Sequence, residues 1–378
     1  MGDAGNQESI EVKIKTLTPL WTGGVNVGQM DRIHETGILG SLRWWYEAII
    51  RGLGEWACDP STHGCLYDSK KPDNGLCDAC HLFGTTGWRR RFRLSISSQM
   101  KPTWKGKHLN IKPPGRTRGW VLNAGMAGEL DLIFTGDPDS LAQIHALLHF
   151  LADWGSLGAR PQLGYGVFGI IPSGPVPLPF TWQIDTHQDT GISDKYPDLR
   201  SFSFFKLRFT PRVPYWWNNV PGLRSLLTRP DERKILETLA KKGMVPVTPT
   251  LKNHLRFGQK WSSDALPHWL FGTLRGNERS RSKVAFSWAY RVDSSDEWEI
   301  RGWLYLPQDN IGRSHSREVM QVSRHCLEQP PGWFEALGLK AADYRAARVI
   351  LPPSVKHWQF YTSREVRGIL SDVLEKRS

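Results

Sequence analysis

The chain has 378 residues, and its 49 Lys and Arg outnumber its 37 Asp and Glu, so the formal net charge is +12. This length suggests two or three domains, each able to bury a core without disulfides. The cationic excess favours a polyanionic partner, most often a nucleic acid, and some of the 18 tryptophans could stack on bases. No apolar run is long enough to cross a membrane, and residues 1–10 are too polar for a signal peptide. We therefore expect a cytoplasmic protein with no membrane partner.

In the first half of the chain, periodic segments follow one another in the order strand, helix, strand, strand, helix, strand. They are a strand at 11–19, an amphipathic helix at 37–51, strands at 91–97 and 129–135, a helix at 138–154 with Asp137 as N-cap, and a strand at 167–171. This is the order of a ferredoxin-like fold, whose four-stranded sheet packs helices on one face and leaves the other face free for RNA.

Three features of the first half return in the same order in the second half. A strand ending in Thr-Pro recurs at 204–211, Leu42-Arg43 recurs as Leu255-Arg256, and Leu82-Phe83-Gly84 recurs as Leu270-Phe271-Gly272. Helices at 229–243, 316–326 and 362–376 and strands at 281–291, 298–306 and 348–351 complete the pattern. We predict an α+β protein with two tandem ferredoxin-like (RRM-like) domains and insertions, at 1–171 and 199–378, joined by a proline-rich linker at 172–198.

Four of the five cysteines lie close together in the sequence, as Cys58, Cys65, Cys77 and Cys80. Zinc prefers four soft ligands in a tetrahedron, and the Cys-x2-Cys pair supplies two of them at a suitable separation. The other pair is more widely spaced than in common zinc fingers, and His63 or His81 could replace one thiolate. We predict a structural zinc site in the insertion 58–80. Free thiols in a mobile loop, or disulfide or redox use, are the alternatives.

Cationic and aromatic residues alternate in several places, which is a pattern typical of RNA-binding surfaces. We expect Arg89, Arg91 and Arg93 to share one face of a strand and to contact phosphates; a solvated edge that prevents aggregation is the alternative. The glycine-rich loop 155–166 follows a helix, so it is not a phosphate-binding P-loop. We expect its Arg160, Gln162 and Tyr165 to contact RNA; a flexible connection between the helix and the last strand is the alternative. The residues predicted to bind RNA on this basis are Arg43, Trp44, Arg89, Arg90, Arg91, Arg160, Gln162, Tyr165, Lys252 and Arg256.

No constellation of residues predicts an active site. His34 follows Asp31, and His145 and His149 lie one helical turn apart, but these histidines lack a partner at the spacing of a known catalytic motif. The chain is therefore predicted to have no catalytic residue and no small-molecule substrate. A metal-independent ribonuclease that uses one of these histidines remains the alternative.

Four motifs resemble the RAMP superfamily of CRISPR effector proteins: residues 18–24, residues 40–46 with Leu-Arg-Trp-Trp, residues 80–84 with Leu-Phe-Gly, and the loop 155–166. The Leu-Arg-Trp-Trp helix followed by Leu-Phe-Gly is most similar to the first subunit of type III-B (Cmr) complexes. The resemblance implies two ferredoxin-like domains in a non-catalytic subunit that caps the complex near the 3′ end of the guide crRNA and helps to hold target RNA. It also implies partner effector subunits and places Arg43, Trp44, Arg160 and Tyr165 next to RNA. An RNA-binding module outside CRISPR defence is a third reading.

Overall fold

The structure is a computed structural model that describes residues 7–26, 28–59, 64–172, 180–183, 192, 195–273, 280–293, 295–328 and 330–375. Its first half contains helices α1 (Glu35–Gly52), α2 (Asp78–Phe83) and α3 (Pro138–Asp153). The strands of this half are β1 (Glu8–Thr16), β2 (Phe92–Ser98), β3 (Lys101–Pro102), β4 (Leu109–Ile111), β5 (Trp120–Leu122), β6 (Met126–Ala127), β7 (Glu129–Gly136) and β8 (Phe168–Ile171).

The four long strands of the first half form an antiparallel sheet in the order β2-β7-β1-β8. Together with α1 and α3, which follow the first and third strands of this sheet, this is a ferredoxin-like domain. Both helices form because apolar side chains recur at helical spacing and reach the core: Ile38 and Leu42 of α1 and Leu148 of α3 are fully buried. Asp137 caps α3 by accepting a 2.9 Å hydrogen bond from the backbone N–H of Ser140, as the sequence predicted.

The second half contains the helices α4 (Arg224–Leu227), α5 (Pro230–Lys241), α6 (Thr248–Phe257), α7 (Ala265–Phe271), α8 (Asn310–Leu327), α9 (Pro330–Leu337) and α10 (Ser363–Glu375). Its strands are β9 (Phe202–Pro211), β10 (Met244–Val245), β11 (Val284–Phe286), β12 (Ala289–Arg291), β13 (Trp298–Tyr305) and β14 (Tyr344–Ile350). The sheet runs β10-β12-β13-β9-β14, and β11 also pairs with β13. The two sheets correspond strand by strand: β14 matches β8, β9 matches β1, β13 matches β7, and β11 with β12, which both pair with β13, match β2. This correspondence confirms two tandem ferredoxin-like domains.

The strand predicted over 281–291 is interrupted at Ser287. The backbone N–H of Arg301 donates to the Ser287 hydroxyl at 2.8 Å, and the Ser287 N–H donates to the carbonyl of Arg301 at 2.7 Å. This local pairing separates β11 from β12 and leaves Trp288 fully buried between the halves of the chain.

The repeated Leu-Phe-Gly tripeptide has the same backbone conformation in both domains. Gly84 ends α2 with φ 85° and ψ 160°, and Gly272 ends α7 with φ 82° and ψ 159°. This positive φ favours glycine, and a Cβ on either residue would lie within 2.8 Å of backbone atoms. The repeat seen in the sequence is therefore a repeat of structure.

The two sheets differ in the face that was predicted to bind RNA. The outer face of the first sheet carries three acidic and three basic side chains, which are Glu11, Glu129, Asp131, Lys13, Lys15 and Arg93. The face of the second sheet that points away from that domain's own helices carries Phe202, Phe204 and Trp303. These rings pack on Trp45 of α1, with ring centroids 5.8–6.2 Å apart. The prediction of an open RNA-binding face is wrong for the second sheet because the first domain covers it.

The segment predicted as a linker is only partly described. Pro175, Pro177 and Pro179 lie outside the described residues. Trp182, which is described, is 2% exposed and packs against Tyr46 of α1 at 6.0 Å between ring centroids. This part of the segment therefore lies on the first domain.

Candidate metal centre and nucleic-acid interface

The four clustered cysteines meet in the folded chain. The Sγ atoms of Cys58, Cys65, Cys77 and Cys80 all lie within 4.8 Å of one another, and all four residues are buried. Tetrahedral zinc with Zn–S bonds of about 2.3 Å requires sulfur atoms about 3.8 Å apart, so the cluster has the right size. These four residues could hold a metal ion. His63 lies outside the described residues, and His81 packs against Trp88 at 5.1 Å between ring centroids.

Hydrogen bonds orient the sulfur atoms of this cluster. The backbone N–H of Cys77 donates to Cys65 Sγ at 3.3 Å, and Arg43 Nη2 donates to Cys80 Sγ at 3.1 Å. Hydrogen bonds from the Cys58 and Cys77 thiols hold the pKa of Cys80 well below its usual range, and the Arg43 guanidinium lowers it further. Donors of this kind position metal ligands and stabilise the thiolate form that binds a metal.

Arg43 and Arg256, both predicted to bind RNA, make matching structural contacts in the two domains. Arg43 Nη1 donates to the carbonyl of Gly84 at 2.7 Å, and Arg256 Nη1 donates to the carbonyl of Gly272 at 3.3 Å. The other nitrogen contacts the side chain two residues before Leu-Phe-Gly, which is Cys80 in the first domain and His268 in the second. Each arginine thus links its own helix, α1 or α6, to the glycine turn that ends the next helix, α2 or α7. We call this contact the arginine clasp.

Trp44 and the glycine-rich loop lie between the domains. The Trp44 ring is half-buried and packs edge-on against Trp45 and against Phe202 of the second domain. Tyr165 is 1% exposed, and its hydroxyl donates to the carbonyl of Asn123 at 2.6 Å. The prediction that Tyr165 offers a stacking face to RNA is wrong in this structure, because the ring is buried between the domains.

Arg160, Gln162 and Lys252 also lie at this junction. The guanidinium of Arg160 stacks on Trp21 at 3.8 Å and remains half-exposed. Lys252 is buried, and its Nζ donates to the carbonyl of Gln162 at 3.1 Å and to the hydroxyl of Ser282 at 2.7 Å. Burial lowers the pKa of Lys252 to about 7. The structure therefore makes Lys252 an interdomain contact and leaves it no surface for a phosphate.

The arginines at 89–91 lie before a strand and not within it. Strand β2 begins at Phe92, so the predicted alternation of Arg89 and Arg91 with Arg93 on a strand face is wrong. Arg89 is exposed, Arg90 Nε donates to the carbonyl of Phe92 at 2.7 Å, and Arg91 forms an ion pair with Asp137 at 3.4 Å. Contact between these arginines and RNA stays a prediction.

Comparison with known proteins finds one family that the first domain resembles. Residues 13–169 match the family model of the RAMP superfamily. Among solved structures, Cmr1 from Pyrococcus furiosus (apo form) is 15% identical, with a TM-score of 0.39, and the match covers 80% of this chain and 88% of that one. Cmr6 from Pyrococcus furiosus is also 15% identical, with a TM-score of 0.25, over 45% of this chain and all of that one. A search of curated proteins finds no match.

The first domain contains a basic region that the sequence analysis missed. The fifty residues between Asp78 and Glu129 include no acidic residue and ten cations, of which only the arginines at 89–93 were recognised. The remaining six are Lys101, Lys105, Lys107, Lys112, Arg116 and Arg118. All six are exposed on the insertion that runs from β3 to β6. A count of charges over a long window would have found this region; the short motifs did not.

The histidines considered for catalysis lie apart. His34 Nε2 lies 2.9 Å from an Asp31 carboxylate oxygen before α1, whereas His145 and His149 contact each other on α3, with their Nε2 atoms 3.0 Å apart. The hydrogen bond with His34 lowers the pKa of Asp31. Among the described residues, no helix is both long and apolar enough to cross a bilayer.

Proposed function

We propose that this chain is a non-catalytic, RNA-binding subunit of a type III-B (Cmr) CRISPR effector complex in the cytoplasm. In this proposal its domains, at 1–171 and 199–378 with a linker at 172–198, bind near the 3′ end of the guide crRNA, help to hold target RNA and contact other effector subunits. The match of the first domain to the RAMP superfamily, together with its long acid-free basic region, is the observation that carries the proposal, because clustered cations neutralise successive phosphates. Base pairing with the guide would read sequence, so binding by this chain should not depend on sequence.

We further propose that the four buried cysteines hold a structural zinc ion. Four thiolates fill the tetrahedral coordination of zinc and leave no position for a reactive water, so the ion would fix the insertion 58–80 on the first domain. The Arg43 contact to Cys80 would join this centre to α1.

The salt dependence of RNA binding tests the main proposal. The logarithm of affinity should fall linearly with the logarithm of salt concentration, and Arg89→Ala with Arg91→Ala should flatten the slope by about one to two, since each lost phosphate contact on single-stranded RNA removes about 0.7. Arg364→Ala with Arg367→Ala on α10 is a matched control, because it removes two exposed cations from another surface. Wild-type protein that binds no RNA at moderate salt would refute RNA binding. An unchanged slope in the first variant would assign Arg89 and Arg91 to structure or to protein contacts.

The alternative function is a metal-independent endoribonuclease that processes CRISPR repeat RNA. The observation that favours it is the His34–Asp31 pair, because a carboxylate beside an imidazole can orient that ring for proton transfer at a 2′-hydroxyl. Incubation of the purified protein with labelled repeat RNA in the absence of metal separates the two functions. Defined fragments that disappear in the His34→Ala or His145→Ala variant would refute the non-catalytic proposal.

A further inference from the structure

The insertion between β2 and β7 brings exposed cations to the second domain. Its hairpin, β4 and β5, buries Leu109, Ile111 and Leu122 in the core of the second domain. The tip between these strands carries Lys112, Arg116 and Arg118, which are exposed. None of these three cations forms an ion pair with another described residue. The apolar side of the hairpin therefore fixes it in place and leaves its cationic side in solvent.

Polar contacts determine where the hairpin lies on the second domain. Arg229 Nη2 donates to the carbonyl of Asn110 at 3.3 Å, and Arg229 itself is paired with Glu232. Lys242 Nζ donates to the carbonyl of Thr103 at 3.5 Å. The hairpin tip is thereby placed beside the end of α6, where Arg116 stacks on Phe257.

Phe257 is a partly exposed aromatic ring with two guanidinium groups near it. The ring is 46% exposed, with Arg116 at 4.0 Å and Arg256 at 5.1 Å from its centroid. Phe257 follows the clasp arginine Arg256 as Trp44 follows Arg43, so the two aromatic residues hold equivalent positions in the repeat. Trp44 is half-buried and packs edge-on against Phe202, whereas no aromatic ring packs on Phe257 among the described residues. The position that the sequence favoured for base stacking is thus more exposed in the second domain than in the first.

We propose that the hairpin tip and the end of α6 form a binding track for single-stranded RNA, in which Lys112, Arg116 and Arg118 contact phosphates and Phe257 stacks on a base. This inference rests on the proposed RNA-binding function and gives it a location. Single strands fit the arrangement because only an unpaired base offers its face to an exposed ring. The track needs both domains, since the cations come from the first and the ring from the second.

Binding of a fluorescent oligouridylate to the full chain tests the track. The triple variant Lys112→Ala, Arg116→Ala, Arg118→Ala should reduce the slope of log affinity against log salt by about two. Phe257→Ala should weaken binding about 5- to 150-fold, whereas Phe257→Trp should retain it, since the effect of stacking depends on the ring. Arg364→Ala with Arg367→Ala on α10 should leave affinity and slope unchanged. With RNA that contains 4-thiouridine, photocrosslinks should map to the peptide that contains Phe257. Melting temperatures near that of the wild type would confirm that the variants fold.

The outcomes separate this inference from the function on which it rests. Wild-type protein that fails to bind RNA refutes both. Wild-type binding that survives the triple variant and Phe257→Ala, but is lost in Arg89→Ala with Arg91→Ala, keeps the function and overturns the track. The charge variants could weaken the binding of heparin as much as the binding of RNA, while Phe257→Ala changes neither. That result would show a general polyanion-binding surface and would also overturn the track. A duplex RNA that binds as tightly as the single strand would overturn the stacking role of Phe257.

Discussion

Replacement of Arg43 by methionine distinguishes the arginine clasp from an RNA contact. The substitution removes hydrogen bonds to Glu47 at 2.8 Å, to the carbonyl of Gly84 at 2.7 Å and to Cys80 Sγ at 3.1 Å. It also leaves the buried carboxylate of Glu47 with Arg51 at 3.8 Å as its remaining ion-pair partner. Loss of one partner of a buried ion pair costs about 3–5 kcal/mol. Because the Arg43 side chain is 18% exposed, we expect a loss of about 3 kcal/mol, at the low end of this range.

Thermal unfolding measures this loss. The entropy of unfolding scales with length and is roughly 0.8 kcal/mol per kelvin for a chain of this size, so Arg43→Met should lower the Tm by about 4 °C. Arg256→Met is the matched variant in the second domain. Its bond to the carbonyl of Gly272 is longer, at 3.3 Å, and its other contact is with a histidine, so we expect about half the loss. Both variants should bind RNA with an affinity close to that of the wild type after correction for the folded fraction.

One pattern of results would refute the clasp. If Arg43→Met has the same Tm as the wild type while its affinity for RNA falls several-fold, the guanidinium faces RNA, as the motif position suggested. A fall in Tm without a loss of affinity would assign Arg43 to the fold. Measurement of both quantities on the same preparation removes the ambiguity between a misfolded variant and one that has lost a phosphate contact.

Two further predictions follow from the buried polar groups. Native protein should contain one zinc per chain by elemental analysis, and Cys77→Ser with Cys80→Ser should lose it; equal zinc in both proteins would exclude the site. Lys252 has a pKa of about 7 in the folded chain and an ordinary value of 10.5 when unfolded, so the unfolded chain binds more protons between these values and stability should rise with pH. Relative to Lys252→Met, the free energy of unfolding of the wild type, measured in urea, should rise by up to about 1.4 kcal/mol per pH unit above pH 7. A difference in stability between the two proteins that does not change with pH would contradict the lowered pKa of Lys252.

The sequence by itself determined most of the long helices and strands, the internal repeat and the cysteine cluster. Periodicity and caps act over a few residues, which is why α1, α3 and the four sheet strands β1, β2, β7 and β8 were found within about three residues of their true bounds, whereas the short strands β3 to β6 were not. The four cysteines meet because the segment that separates them is short and α2 begins directly after Cys77. These features depend on local interactions, and local interactions can be read from neighbouring residues.

Only the tertiary structure decided which cationic and aromatic residues face solvent. Arg43 contacts a carbonyl 41 residues away, and Lys252 contacts one 90 residues away, so no local pattern distinguishes them from surface cations. Trp44 and Phe257 hold equivalent positions in the repeat, yet the packing of one domain on the other half-buries Trp44 and leaves Phe257 46% exposed. Exposure depends on contacts between residues distant in sequence, and charge and aromatic patterns say nothing about those contacts.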